Sequence, residues 1–309
     1  MVTSGSSVFR LCEVIELLTF KQKNGEYEMK AAIMKLASGA FLVTTLLSSA
    51  WAGEPLALYD NFNSYVINPN KWFGAMSGSS QNEIRESARL ILLNRLQLLN
   101  RAYSRTDTDE GTSPSGETLR FINPDSVTAI KTTVQALSYQ VQGCGDSDET
   151  SSIRARFAGY FFNTTDNPTP GSALNDVFAS VGIYRLAGAT DPPNTLRVYA
   201  GIRHCHDSIC GLVDDLGSAD LGTARLGQQV TLRLEWDPNN TQFIVQRDNQ
   251  PEVFIPYSVP DSSPPGLKSK RLEVGQTLAN CTAQPRPTAF VSAFFDNVYV
   301  NASTLNTQQ

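Results

Sequence analysis

Two short stretches near the ends of the chain decide its fold. The first reads YDNFN at residues 59–63 and continues, after a short gap, with INPNKW at residues 67–72. The second reads AFFDNVYV at residues 293–300, an apolar segment with Asp296 and Asn297 at its centre. The second stretch has the apolar composition of a β-strand.

The segment between these stretches consists of short alternating runs separated by turn clusters, a pattern typical of an all-β sandwich or barrel. Its clearest hairpin joins residues 230–236 to residues 242–246 through a turn at residues 237–240. Alternate residues of the first of these strands, from Val230 to Trp236, share one apolar face. Further strands are predicted at residues 127–136, 153–162, 177–184, 196–203 and 253–257.

The two terminal stretches together resemble those of a known superfamily. An Asp-x-Phe opening that leads to Pro-x-x-Trp, here within residues 60–72, and a closing Phe-Asp-Asn-Val-x-Val are similar to the end strands of concanavalin A-like (laminin G- or glucanase-type) sandwiches. The resemblance implies an antiparallel jelly-roll β-sandwich whose first and last strands lie side by side in one sheet. It also implies two strands within residues 83–103, with a turn near Asn94 and Arg95, although the leucine spacing there also suits an amphipathic helix.

The N-terminal region has the pattern of an export signal. Residues 29–52 contain basic residues, a short apolar run and an Ala-x-Ala end, the three regions of a secretory signal peptide in order. The apolar run is shorter than the ~20 residues needed to span a bilayer. We therefore predict that residues 1–28 are a non-native upstream extension and that cleavage follows Ala52. Residues 53–303 are then one β-sandwich domain, exported to the periplasm or secreted, and residues 304–309 are a polar tail.

The charge and the cysteine content bear on the ligands and the disulfide bonds that the protein can have. The chain has a formal net charge of −5 at pH 7 and no Lys/Arg run, which argues against nucleic-acid binding. Cysteines that follow the signal peptide are even in number, and in an exported protein this favours disulfides. Among the possible pairings we predict Cys205–Cys210, which closes a tight loop, and Cys144–Cys281, which joins distant strands.

The sequence contains no glycosidase signature. Retaining glycosidases use two carboxylates about 5 Å apart, and glucanases of the resembled superfamily carry them on one strand as Glu-x-Asp-x-Glu. Residues 146–149 (DSDE) come nearest, but they lie in a Gly-containing loop beside Cys144. The Arg-Thr/Ser-Glu-x-Arg strand of alginate-lyase-type sandwiches is matched only at Glu83 and Arg85, and its Gln-x-His is missing. We therefore assign no catalytic residue, while carboxylates from separate strands leave cleavage open as an alternative.

Candidate metal ligands lie close together in one segment. The chain's two histidines, His204 and His206, flank Cys205. In a strand both point away from that cysteine, so the three do not share one tetrahedral site, and export favours the disulfide. We therefore predict no metal at this segment. A Gly-containing acidic loop follows, in which calcium is the alternative to a solvated surface, at Asp214, Asp215 and Asp220.

The predicted binding surface combines arginines and tyrosines from two strands. If residues 153–162 and 196–203 are strands, their polar residues share one face, and their apolar residues suit the core. Guanidinium forks can hold carboxylates or sulfates, and tyrosine rings can stack on sugars. The alternative is an ordinary solvent-facing sheet surface. The predicted ligand-binding residues are Arg154, Arg156, Tyr160, Arg197, Tyr199 and Arg203.

Together these features predict an exported, non-catalytic β-sandwich that binds a carbohydrate or another envelope or extracellular ligand, without a cofactor. No segment of the mature chain approaches the length of a membrane span. Two alternatives stay open. One is a polysaccharide-cleaving hydrolase or lyase with non-standard catalytic residues, and the other is a structural or adhesive envelope protein.

Overall fold

The structure, a computed structural model, describes residues 55–78, 83–144 and 150–306. The predicted signal peptide, the extension before it and the acidic run at residues 146–149 lie outside the described residues. Strands dominate, as the alternating sequence pattern predicts. In chain order they are β1 (Leu56–Asp60), β2 (Trp72–Gly78), β3 (Glu83–Leu92), β4 (Arg95–Tyr103), β5 (Thr112–Phe121), β6 (Ala129–Gln142), β7 (Ser152–Asn163), β8 (Asp176–Leu186), β9 (Thr195–Cys205), β10 (Val213–Arg225), β11 (Gln229–Asp237), β12 (Gln242–Arg247), β13 (Val253–Pro256), β14 (Lys270–Ala279) and β15 (Thr288–Asn301).

The first and last strands pair with each other. Strand β1 runs antiparallel to the end of β15, and the rest of β15 lies between β4 and β6. The side-by-side placement of the two terminal strands is therefore confirmed. The indole N–H of Trp72 donates to Oδ2 of Asp60 at 2.7 Å, and the ring of Tyr59 meets the indole edge-on. Asp60 therefore has a structural role, since its carboxylate accepts the hydrogen bond that links β1 to Trp72 at the start of β2.

Two antiparallel sheets enclose the core. The larger has the strand order β13-β12-β11-β6-β15-β4-β3, with β1 attached to β15, and the other has the order β10-β9-β8-β7-β14-β5-β2. One apolar face of each sheet is buried against the other, as in β4, where Leu96 and Leu98 are fully buried and alternate with partly exposed residues. The predicted jelly-roll β-sandwich is confirmed. The two strands expected within residues 83–103 are β3 and β4, which turn at Leu93 and Asn94.

Helical structure in the described residues is limited to two short segments. A 3₁₀ helix (Pro238–Asn240) forms the predicted turn between β11 and β12, where Oδ1 of Asp237 accepts the backbone N–H of Asn240. Helix α1 (Ser303–Asn306) follows β15, and the hydroxyl of Thr304 donates to the Ser126 carbonyl at 2.9 Å. Neither helix, nor any other in the described residues, has the length and hydrophobicity needed to cross a membrane.

Candidate functional site

The predicted binding residues lie on the outer face of the seven-stranded sheet. In β7, Ile153, Ala155 and Phe157 are fully buried in the core between the sheets, so Arg154 and Arg156 lie on the opposite face. Strand β9 alternates in the same way, and β8 lies between β7 and β9. The structure therefore brings the polar residues of two strands onto one surface.

Two open depressions join across this surface, with volumes of about 620 and 640 Å³. Each of the six predicted residues lines one or both of them: Arg154, Arg156, Tyr160, Arg197, Tyr199 and Arg203. Arg154, Arg156 and Arg203 line both depressions, so the two are continuous. We call this surface the arginine groove.

A buried carboxylate holds three arginines together in the groove. Glu273 lies on β14, next to β7, and only 1% of its side chain is exposed. Its Oε1 atom accepts from Nε of Arg154 at 2.7 Å and from the guanidinium of Arg156 at 3.2 Å. Its Oε2 atom accepts from Nε of Arg271 at 2.8 Å. Two of the guanidinium groups predicted to meet a ligand are therefore already engaged by an internal partner.

This cluster keeps an excess of positive charge. Burial alone would raise the pKa of Glu273, but the charges of Arg156, Arg154 and Arg271 hold that pKa well below its ordinary value. The carboxylate is therefore ionised at neutral pH, and the guanidinium groups stay protonated. Three positive charges against one negative charge leave two positive charges at this part of the groove.

Two further arginines add to this charge. Arg203 is exposed, and no described residue forms a hydrogen bond or ion pair with its guanidinium group. Arg120 lies opposite Arg271 on the neighbouring strand β5, and its Nε atom is buried without a hydrogen-bond partner among the described residues. Arg203 is therefore the groove arginine most available to a ligand.

The aromatic side chains of the groove differ in accessibility. Tyr160 is only 5% exposed and packs against Phe178 with the ring centroids 5.1 Å apart. Its ring supports the floor of the groove and presents little surface to a ligand. Tyr199 is half-buried, and Tyr184 meets it edge-on at 6.1 Å. The Tyr184–Tyr199 pair is therefore the aromatic surface that can stack on a sugar ring.

Arg197 has carboxylate partners of its own. Its guanidinium lies 2.6 Å from Asp191 and 3.4 Å from Asp220. These contacts balance its charge locally and leave this end of the groove less positive than the end near Arg203.

Glu273 and Arg271 are not among the residues predicted from the sequence to bind a ligand. No strand is predicted at residues 270–279, although Arg271-Leu-Glu-Val274 alternates with the period of a strand. Glu273 meets Arg156 only because β14 pairs with β7, and 117 residues separate the two in the sequence. Such a neighbour cannot be found from local spacing.

Both predicted disulfides are present. Cys144, just after β6, pairs with Cys281, just after β14. Cys205, at the end of β9, pairs with Cys210 in the loop before β10. The second bridge borders the arginine groove, since Cys210 lines its first depression.

The three aspartates considered for calcium do not lie in a loop. Asp214, Asp215 and Asp220 belong to β10, which pairs with β9, so the loop prediction is wrong. Glycines in the segment are accommodated by irregularities in the pairing, between Asp215 and Gly217 and again after Asp220. Asp214 and Asp215 are consecutive in a strand and point to opposite sides. These three carboxylates therefore do not converge on one cation.

The fragment that matches alginate-lyase-type strands lies away from the groove. Glu83 begins β3, at the edge of the other sheet, and its carboxylate accepts from a guanidinium nitrogen of Arg286 at 2.8 Å. This contact ties β3 to the segment before β15.

The structure is similar to several solved β-sandwich proteins. A GlcNAcα1-4Gal-releasing endo-β-galactosidase from Clostridium perfringens is 8% identical with a TM-score of 0.39, over 82% of this chain and 64% of that one, so the match spans just under two thirds of its length. The catalytic domain of an endo-1,3-β-glucanase (laminarinase) from Thermotoga petrophila RKU-1 is 13% identical with a TM-score of 0.36, over 81% and 99% of the two chains. The exoplasmic/lumenal domain of VIP36 in its Ca²⁺/Man₂-bound form is 9% identical with a TM-score of 0.30, over 78% and 89%.

No protein-family model and no curated protein matches the chain. Structural likeness of this degree assigns no ligand and no activity to the groove.

Proposed function

We propose that this protein is exported and binds an anionic polysaccharide, one that carries carboxylate or sulfate groups, in the arginine groove without cleaving it. The observation that carries this proposal is the arginine cluster around Glu273, with the exposed guanidinium of Arg203 beside it, which has no ion-pair partner among the described residues. Two disulfides support the exported location, because such bonds persist outside the reducing cytoplasm.

The charge of the groove favours an anionic ligand. The whole chain carries a net charge of −5, whereas the groove is positive around Glu273 and Arg203. A local surface of the opposite sign attracts anions and repels cations, while a neutral ligand gains nothing from its charge. Planar guanidinium groups also match the geometry of carboxylate and sulfate oxygens. Arg203 supplies the direct contact, and the three clustered arginines supply the field.

The shape of the groove favours a polymer. Two joined depressions extend over β7, β8, β9 and β14, so several sugar units of an extended chain can lie along them. The Tyr184–Tyr199 pair lines the second depression and offers aromatic surface for one sugar ring. Aromatic surface and guanidinium groups in one open groove suit an acidic glycan better than a small enclosed ligand.

The state of Glu273 argues against hydrolysis. A general acid must carry a proton near the working pH, and the pKa of Glu273 lies well below its ordinary value. Both carboxylate oxygens already accept hydrogen bonds from arginines, so the group is poorly placed as a nucleophile. Among the described residues that line the groove, the other carboxylate is Asp191, which pairs with Arg197. The described residues that line the groove therefore include no free carboxylate pair.

The test is a binding titration of the purified, disulfide-bonded protein with alginate, pectate, carrageenan and neutral laminarin. We expect binding to one of the anionic polymers, weakening as salt is added, and little binding to laminarin. Arg203→Ala should reduce the affinity by at least about tenfold, the value of one charged hydrogen bond. Arg225→Ala is the matched control, because Arg225 is an exposed arginine of β10 that lines neither depression.

Each alternative function predicts a different result. Equal binding of laminarin and the anionic polymers would contradict the role of charge. Release of unsaturated uronates or new reducing ends would establish a lyase or hydrolase and overturn the non-catalytic assignment. No binding across the panel, together with an envelope protein that co-purifies, would favour an adhesive or structural role.

A further inference from the structure

A second group of polar side chains lies where β9 ends. His204, His206 and Asp214 each place a ligand-type atom so that all three atoms lie within 4.8 Å of one another. Nε2 of His206 is 2.7 Å from Oδ2 of Asp214, and the two imidazole rings are 4.6 Å apart. Side chains alternate along β9, so His204 lies on the face opposite to Arg203. The cluster is therefore separate from the arginine groove.

Strand pairing holds the three residues together. His204 lies opposite Asp214 in the β9–β10 pair. The backbone N–H of His206 donates to the Leu212 carbonyl at 2.8 Å, which extends the pairing beyond the end of β9. The ring of His204 is further oriented by the hydroxyl of Thr164, which lies 3.2 Å from its Nε2 atom.

The loop between the ligand-bearing segments is also fixed. The Cys205–Cys210 disulfide closes it from within. The carboxylate of Asp207 accepts three backbone N–H groups across the loop at 2.7–2.9 Å, from Ile209, Gly211 and Leu212. Little backbone entropy therefore has to be lost when His206 and Asp214 bind a common ligand.

We propose that His204, His206 and Asp214 form a binding site for a divalent transition metal, Cu²⁺ or Zn²⁺. Two imidazoles and one carboxylate suit these ions, whereas Ca²⁺ and Mg²⁺ prefer oxygen ligands alone. Ligand atoms of a tetrahedral site with bonds of ~2.1 Å lie about 3.4 Å apart. The 2.7 Å contact between His206 and Asp214 must therefore lengthen on binding, and any pair of ligand atoms that now lies as much as 4.8 Å apart must come closer. The side chains of His206 and Asp214 are 39% and 73% exposed, which leaves them free to make this adjustment.

The three ligands differ from the set that the sequence suggests. From the sequence, metal binding is predicted to be absent because Cys205 points away from the two histidines. The structure places Cys205 in a disulfide and supplies Asp214 from the next strand instead. Three protein ligands leave at least one coordination position open to water or to another molecule.

The experiment is a titration of the purified protein, prepared without a histidine tag, with CuCl₂ and with ZnCl₂. We expect one equivalent of either ion, with Cu²⁺ bound more tightly than Zn²⁺. The chain has 2 histidines, so nitrogen couplings in the Cu²⁺ electron paramagnetic resonance spectrum report on this cluster. His206→Ala and Asp214→Asn should each lower the affinity by at least about tenfold.

Asp215→Asn is the matched control, because Asp215 is also exposed and points to the other side of β10. It removes the same charge and should leave the affinity unchanged. Unaltered binding in a His204→Ala/His206→Ala double variant would overturn the proposal, and so would a wild-type protein that binds neither ion stoichiometrically. Circular dichroism of each variant checks that the fold is retained.

Discussion

Glu273 and Arg156 lie opposite each other in the β14–β7 pair, with a guanidinium nitrogen 3.2 Å from Oε1 of the carboxylate. Arg154 and Arg271 complete the arrangement around the same carboxylate. The side chains of the three arginines are only 12–13% exposed. Water can therefore screen them little, and the carboxylate is what makes it favourable for three like charges to lie so close together.

Replacing Glu273 with Gln should destabilise the protein strongly. The variant keeps the shape of the side chain but leaves three poorly solvated guanidinium groups without a counter-charge. We expect the free energy of unfolding to fall by about 3–5 kcal/mol, the usual cost of breaking a buried ion pair. Chemical denaturation at neutral pH measures this change.

Glu86→Gln is the control for that experiment. Glu86 pairs with Arg101 on the other sheet, and both side chains are well exposed. Its loss should change the free energy of unfolding by no more than about 1 kcal/mol. Equal effects of the two substitutions would mean that the Glu273 cluster is not a buried ion-pair network.

How far the groove can be predicted from sequence depends on the range of the contacts involved. Alternation within β7 and β9 separates core residues from outer residues, so the shared face of Arg154 and Arg156 follows from local spacing. The contact between Glu273 and Arg156 does not follow from local spacing, because it arises from strand pairing between segments 117 residues apart. The availability of Tyr160 does not follow either, since its burial depends on Phe178 from the neighbouring strand.

Loop predictions that rest on glycine content alone are a second source of error. The glycines near Asp214 and Asp220 favour a loop on local composition, but β9 offers an edge with which this segment pairs, and the pairing irregularities absorb the glycines. The pairing of the two terminal strands, by contrast, is implied by the resemblance to concanavalin A-like sandwiches, and the structure confirms it.

Lys270 should make the free energy of unfolding depend on pH in the alkaline range. Its Nζ atom donates to the Pro124 carbonyl at 2.9 Å and lies 4.9 Å from the centroid of the Phe161 ring. Burial lowers the pKa of Lys270 from 10.5 to about 8. Between these two values the unfolded chain binds more protons than the folded one, so stability rises with pH across this window.

Lys270→Met should remove that slope. In the wild type, the free energy of unfolding should change by on the order of 3 kcal/mol across this pH window. The variant should be more stable than the wild type at neutral pH, where the buried lysine is charged. Denaturation at several pH values between neutrality and about 10 tests this. Lys268→Met, at an exposed lysine two positions away, should keep the wild-type slope. A Lys270→Met variant with an unchanged slope would contradict the assignment.

The two disulfides should contribute unequally to stability. Their cysteines are separated by 137 residues in Cys144–Cys281 and by 5 in Cys205–Cys210. In the chain-entropy description, closing the long loop stabilises by about 5 kcal/mol and closing the short one by about 2 kcal/mol. Denaturation of the two double Cys→Ala variants measures both values, and a larger loss from the short loop would contradict this ordering.

A side chain at Gly182, beneath the arginine groove, should destabilise the protein. It lies opposite Arg156 in the β7–β8 pair, and a Cβ atom there would come within 2.3 Å of the Arg156 Cβ and 2.5 Å of the Ala155 carbonyl oxygen. Backbone atoms cannot move aside cheaply, so Gly182→Ala should cost about 1–3 kcal/mol. Gly201→Ala is the matched control on β9, since its Cβ would meet only the ring edge of Tyr199 at 3.3 Å, and a small rotation relieves that contact. Thermal unfolding of the two variants should therefore show a clear loss for Gly182→Ala and little change for Gly201→Ala. Equal unfolding temperatures would mean that β7 and β8 do not approach each other this closely beneath Arg156.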